Sequence, residues 1–147
     1  MKKRIGTLLI IALLVVLSGC SGGKLKGELP PEVTVSIDGQ KVKAKLAVYD
    51  WYSGSTKVGS YAEVLKGERA QIVDPKEEAH FKMDYDQKPS TEEICIVKDE
   101  KSSQCKKGNM INAPIEKGDY YIEYSVDWQD GDENLGSATY LIGIAIR

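Results

Sequence analysis

Three chemistries have usable residue clusters in this chain of 147 residues: proton transfer, cation binding and ring stacking. The single histidine, His80, falls between Ala79 and Phe81, on the polar phase of a strand-like alternation. An imidazole placed there is solvated, and no spacing dictates a nucleophile for it to activate. Carboxylates could instead work in pairs, as in glycoside hydrolysis, and Glu77, Glu78, Glu92 and Glu93 are available. Neighbours in sequence point to opposite faces of a strand, however, so adjacent glutamates do not flank one bond. The chain is expected to carry no catalytic residue, a carboxylate-dependent hydrolase being the minor alternative.

Cation binding has one candidate. Asp127, Asp130, Asp132 and Glu133, with Asn134, surround Trp128 and Gly131, and several carboxylates on one loop suit a hard cation such as calcium. The spacing misses the EF-hand order, and a solvated turn built on Asp130-Gly131 explains the same residues. No cofactor is expected. Ring stacking has a clearer location. Tyr49, Trp51, Tyr52 and Tyr61 cluster around a Gly- and Ser-rich loop. Exposed rings on loops hold sugars or anchor protein partners, whereas Trp51 could equally plug a core. Trp51 and Tyr52 are therefore the candidate ligand-binding pair.

The amino terminus decides where such a site would operate. Lys2, Lys3 and Arg4 precede ten apolar residues, Leu8 to Leu17, about half of the ~20 needed to cross a bilayer. That pattern fits an export signal better than a spanning helix. It closes on Leu17-Ser18-Gly19-Cys20, which resembles the lipobox of bacterial lipoproteins. The resemblance implies that Cys20 receives a diacylglyceryl group and becomes the first residue after cleavage, leaving the protein held on the outer side of the cell membrane. Two acyl chains give a stable attachment where one gives a marginal one.

The expected organisation is a signal peptide over 1–19, a lipidated flexible linker over 20–31 and one domain over 32–147. Fully stretched, Ser21 to Pro31 spans no more than about 40 Å. Losing Lys2, Lys3 and Arg4 leaves 17 basic against 22 acidic residues, a formal net charge of −5. That balance argues against nucleic acid as a partner. Lipidation of Cys20 also leaves Cys95 and Cys105 as an even pair outside the reducing cytosol, and parity favours a disulfide across a hairpin. A redox or zinc pair fits less well, because the spacing is not Cys-x-x-Cys and two thiols cannot complete a tetrahedral site.

Period-two alternation dominates the domain. Val33, Val35 and Ile37 lead through Asp38-Gly39 into Val42, Ala44, Leu46 and Val48, a hairpin signature. Further strands are expected at Ala79 to Tyr85, Ile94 to Val97, Met110 to Ala113, Tyr120 to Trp128 and Tyr140 to Ile146. Residues 50–74 read as two short strands or as a helical turn near Ala62 to Lys66. The sum is seven or eight strands, the arithmetic of an all-β two-sheet sandwich. Glu116-Lys117-Gly118-Asp119-Tyr120 resembles the tyrosine corner of immunoglobulin-like domains, with Tyr120 at the head of a late strand and Ile122 where antibodies have a cysteine. The wider pattern resembles small uncharacterised lipoproteins of Gram-positive bacteria. That resemblance supplies no activity; an anchored sandwich without a catalytic constellation is instead read as a non-catalytic binding or adaptor module for an envelope protein partner or, alternatively, for cell-wall glycan held by Trp51 and Tyr52.

Overall fold

The computed structural model describes residues 23–57 and 59–147; the expected signal segment, Cys20 and the two residues after it lie outside the described residues. Strand order follows the alternation closely. The elements are β1 (Val33–Ile37), β2 (Gln40–Lys43), β3 (Lys45–Trp51), β4 (Gly54–Thr56), α1 (Tyr61–Val64), β5 (Gln71–Val73), β6 (Glu78–Met83), β7 (Thr91–Lys98), β8 (Lys101–Lys107), β9 (Met110–Asn112), β10 (Gly118–Asp130) and β11 (Glu133–Ile146). They form two packed sheets, one in the order β2-β1-β6-β9 and the other β4-β3-β11-β10-β7-β8, with β5 lying parallel to the end of β11. The fold is an all-β sandwich. Its described strands number eleven rather than seven or eight: one expected run divides into β2 and β3, the polar β8 carries no apolar phase, and β4 and β5 are too brief to declare a period.

The core follows from which phase of each strand is apolar. Val33, Val35 and Ile37 of β1 and Ala79 and Phe81 of β6 meet Tyr120, Ile122, Tyr124, Val126 and Trp128 of β10 and Tyr140, Ile142, Ile144 and Ile146 of β11. Phe81 and Tyr124 link the two sheets with ring centroids 5.0 Å apart. Each such buried side chain contributes about 1.5 to 3 kcal/mol through its removal from water. At the far end of β10, the Tyr120 hydroxyl donates to the Glu116 carbonyl at 3.0 Å, tying the strand head to the turn before it.

One expectation is corrected here. The alternating run from Val42 to Val48 is not one strand: the chain passes from one sheet to the other at Ala44, whose N–H donates to the Val33 carbonyl. A bulge in the pairing of β3 with β11 then adds one residue, so Leu46 and Tyr49 pack on the core and Val48 turns outward at 40 % exposure. The alternatives for residues 50–74 are both present. Short strands flank α1, whose start is fixed by a capping box between Ser60 and Glu63. This segment crosses the outer face of the large sheet, where Leu65 and Ala70 lie over Gly143 and where Leu141 and Ala145 are buried.

Cys95 and Cys105 stand opposite each other on β7 and β8 and form a disulfide. The hairpin they staple turns on Asp99 and Glu100, with φ of 52° and 58°. Two successive left-handed residues are what a type I′ turn requires, but neither is glycine. Glu100→Gly is therefore expected to raise the thermal midpoint by about 2 to 4 °C, after the entropy lost with glycine is set against the strain relieved. Calorimetry of the two proteins checks the sign.

The turn α1 is held from the other side by Tyr61, whose hydroxyl donates to Glu123 on β10 at 2.6 Å. Burial, then this hydrogen bond and the Glu123 charge, push the Tyr61 hydroxyl up to about 12. A raised acid pKa means that the docking of α1 is fully present below pH 10 and is lost as pH climbs from 10 toward 12. Absorbance titration of tyrosinate is expected to show several late-ionising groups, of which Tyr61→Phe removes one.

Candidate functional site

Register places two chain reversals and two strand starts at one end of the sandwich. Trp51 leads into the β3–β4 turn at Tyr52 and Ser53, Asp130 and Glu133 close the β10–β11 turn, Thr91 opens β7 opposite Asp127, and Val33 opens β1 opposite Met83. Gly131 supplies the positive φ, 58°, that a two-residue turn of this kind takes at its first position. The two loops singled out by their chemistry, aromatic and acidic, are thus neighbours in space.

Three rings form the foundation of this end. Trp51 meets Trp128 edge-on at 5.2 Å between centroids, Tyr85 meets Trp128 at 5.8 Å, and Tyr85 lies 6.4 Å from Trp51. Trp51 is 3 % exposed, which corrects its place in the candidate ligand-binding pair: its faces belong to the core, and no sugar ring could stack on it. Tyr52, the first residue of the turn that follows, is 48 % exposed.

A larger departure concerns the segment before β1, expected to be a flexible linker. From residue 23 onward it is a strap stitched to this end. Leu25 is buried between Trp51 and β11 at Gly136. A Cβ on Gly136 would lie 2.8 Å from Leu25 Cδ1 and 2.9 Å from Trp51 Cε3, so the absence of a side chain is what admits the leucine. Polar bonds continue the seam. The Trp51 indole N–H donates to the Gly27 carbonyl at 2.9 Å, the Tyr85 hydroxyl to Lys26 at 2.8 Å and the Tyr140 hydroxyl to Pro31 at 2.7 Å. The Lys26 N–H donates to Gln87 at 2.9 Å, and Ser53 donates to the Glu28 carbonyl. Burial pushes the Tyr85 and Tyr140 hydroxyls upward, so both remain donors beyond the pH at which an exposed tyrosine ionises. One leucine between two lysines carries no period, which is why composition alone reads this stretch as a linker.

The strap, the β3–β4 turn and the start of β11 enclose an open cleft of about 390 Å³, lined by Lys24, Leu25, Asp50, Tyr52, Glu133 and Asn134 among others. The Lys24 ammonium sits 4.1 Å from the centre of the Tyr52 ring. The cleft therefore offers an aromatic ring, a cation, two carboxylates and an amide around an apolar floor. That inventory recognises a mixed polar and apolar ligand, and it contains no nucleophile placed against a base.

The remaining candidates lie apart from it or from each other. Asp127 accepts from the Thr91 hydroxyl at 2.9 Å on the outer sheet face, while Asp130 and Glu133 oppose each other at the tip of the turn. The proposed calcium carboxylates thus do not converge. Among the described residues the one group of potential ligand atoms close enough for a metal is Glu93 with Cys95 and Cys105, and both thiols are spent in the disulfide. Glu92 accepts from Tyr124 and Glu93 lies beside the disulfide, so the adjacent glutamates do diverge. His80 is exposed and lies 3.1 Å from the Asn109 amide. Glu77 accepts through its backbone carbonyl from Ala113, and Glu78 is exposed on β6. Comparison of the chain with protein-family models, with curated proteins and with solved structures finds no match.

Proposed function

We propose that this chain is a lipoprotein anchored by lipid to the extracytoplasmic side of the cell membrane, whose sandwich acts as a non-catalytic binding module for an envelope protein. The lipobox-like Leu17-Ser18-Gly19-Cys20 supports the anchor, and the cleft beside Tyr52 supports the binding role. The observation that carries the reading is the combination in one cleft of a half-exposed tyrosine, Lys24, Asp50 and Glu133 over the apolar Leu25. Protein interfaces draw on such mixtures, with an aromatic anchor and charges of both signs that fix register. A glycan reading rests on the same tyrosine, with Asp50 and Asn134 as partners for sugar hydroxyls.

Cross-linking of the full chain in the membranes of an expressing bacterium, followed by purification under denaturing conditions, tests the proposal. Capture of one defined membrane protein, lost at least tenfold in Tyr52→Ala, is the expected result. Retention on purified cell wall that disappears in the same variant would move the assignment to glycan, and turnover of wall fragments by the purified chain would overturn the non-catalytic reading.

A further inference from the structure

We infer that the cleft end of the sandwich rests at the headgroup layer of the bilayer, with Tyr52 and Leu29 as its contact residues. The inference rests on the anchoring of Cys20 proposed above, and it comes from where the strap docks. Were residues 20–31 free, the domain could stand about 40 Å from its lipid, because an extended chain covers no more than about 3.6 Å per residue. Leu25 is buried in the domain, however, so only the five steps from Cys20 to Leu25 can act as a leash. Their greatest span is about 18 Å. A sandwich is about 10 Å between sheets and several times that along its strands, so a leash this short forces the end it leaves from to face the membrane.

The surface at that end suits the position. Among the described residues, Leu29 at 55 % and Tyr52 at 48 % are two of the six large hydrophobic side chains left exposed. They lie on adjoining segments, since Ser53 bonds to the carbonyl of Glu28. A tyrosine with an apolar body and a polar tip is at home at the boundary between headgroups and acyl chains. Lys24 stands where the chain leaves the domain. The nearby Asp130, Asp132 and Glu133 oppose spontaneous binding to an anionic bilayer, so the leash and not surface affinity holds this end down. A partner held in the cleft must then reach it at membrane level, which favours the juxtamembrane part of an integral protein over the distant wall polymer.

The test uses the lipidated full chain, reconstituted in vesicles of phosphatidylethanolamine and phosphatidylglycerol and followed by hydrogen–deuterium exchange. A second protein carries twenty Gly and Ser residues inserted between Ser21 and Gly22, outside the described structure, so folding of the sandwich is untouched. Amides of 50–56 and 129–136 are expected to exchange roughly tenfold more slowly in the first protein than in the second, with the far turns at Asp38-Gly39 and Asp99-Glu100 alike in both. Equal exchange in the two proteins, whether fast or slow, overturns the inference. The mass of the amino-terminal peptide separates the two levels: a diacylglyceryl adduct on Cys20 with equal exchange refutes only the orientation, whereas an unmodified cysteine refutes the anchor and the orientation with it.

Discussion

Trp51→Ala is expected to destabilise the domain by about 3 to 5 kcal/mol, the range for removing a large aromatic from a packed core. The side chain is 3 % exposed, touches Trp128 and Tyr85 and donates to Gly27, so truncation both opens a void and leaves the Gly27 carbonyl without its donor. A typical domain has about 5 to 15 kcal/mol in total, so the loss consumes a large share of it. Urea denaturation monitored by circular dichroism reads the change as a fall in midpoint. Limited trypsin digestion supplies a second readout, because Leu25 loses the surface it packs on and the bonds after Lys24 and Lys26 become cleavable before the rest of the domain. Trp51→Phe keeps an aromatic ring in the core and should cost far less. An unfolding free energy for Trp51→Ala within about 0.5 kcal/mol of the parent would refute the packing described for this end.

The second large effect is expected from Cys95→Ala/Cys105→Ala. Closing a ring of sequence separation 10 limits the unfolded chain enough to contribute about 2 to 3 kcal/mol. The loss should also have a location. β8 is an edge strand of the large sheet and among the described residues pairs with β7 alone, across a turn whose two central residues are both left-handed. Without the bond that hairpin has little to oppose fraying, so hydrogen exchange should accelerate first along 101–107 while β10 and β11 keep their protection. Uniform acceleration across all strands would show instead that the bond matters only through global stability.

Much of the architecture is legible in the sequence where one face of a strand is buried and the other wet. The residues from Tyr120 to Trp128 alternate without interruption because each inward position meets the opposite sheet, and the observed burial follows the same phase. Legibility fails where pairing adds a residue. In β3 the bulge moves Val48 from the inner to the outer face, and nothing in the identities of Leu46, Ala47 and Val48 announces it. It fails again in the strap, where a single leucine finds a slot made by a glycine 111 positions later, a pairing that no local pattern encodes. The candidate site shows the same division. Tyr52 and the acidic turn are visible as residues of the right kind, but their meeting at one end depends on β3 and β11 being sheet neighbours. Trp51 and Tyr52, equivalent by type, are told apart only by where β3 ends: the first closes the strand with its ring in the core, and the second begins the exposed turn.

The order of synthesis adds a consequence of the large sheet. β11 lies between β10 on one side and β3 and β5 on the other, and it is the last described strand that a ribosome would deliver. Until it arrives, β3 and β10 have no shared neighbour and the aromatic interior has no closed shell. Closure of the sandwich therefore waits for the final described strand, and a chain stopped short of residue 133 would be left with unpaired strand edges and an open aromatic interior, the state in which chains associate wrongly.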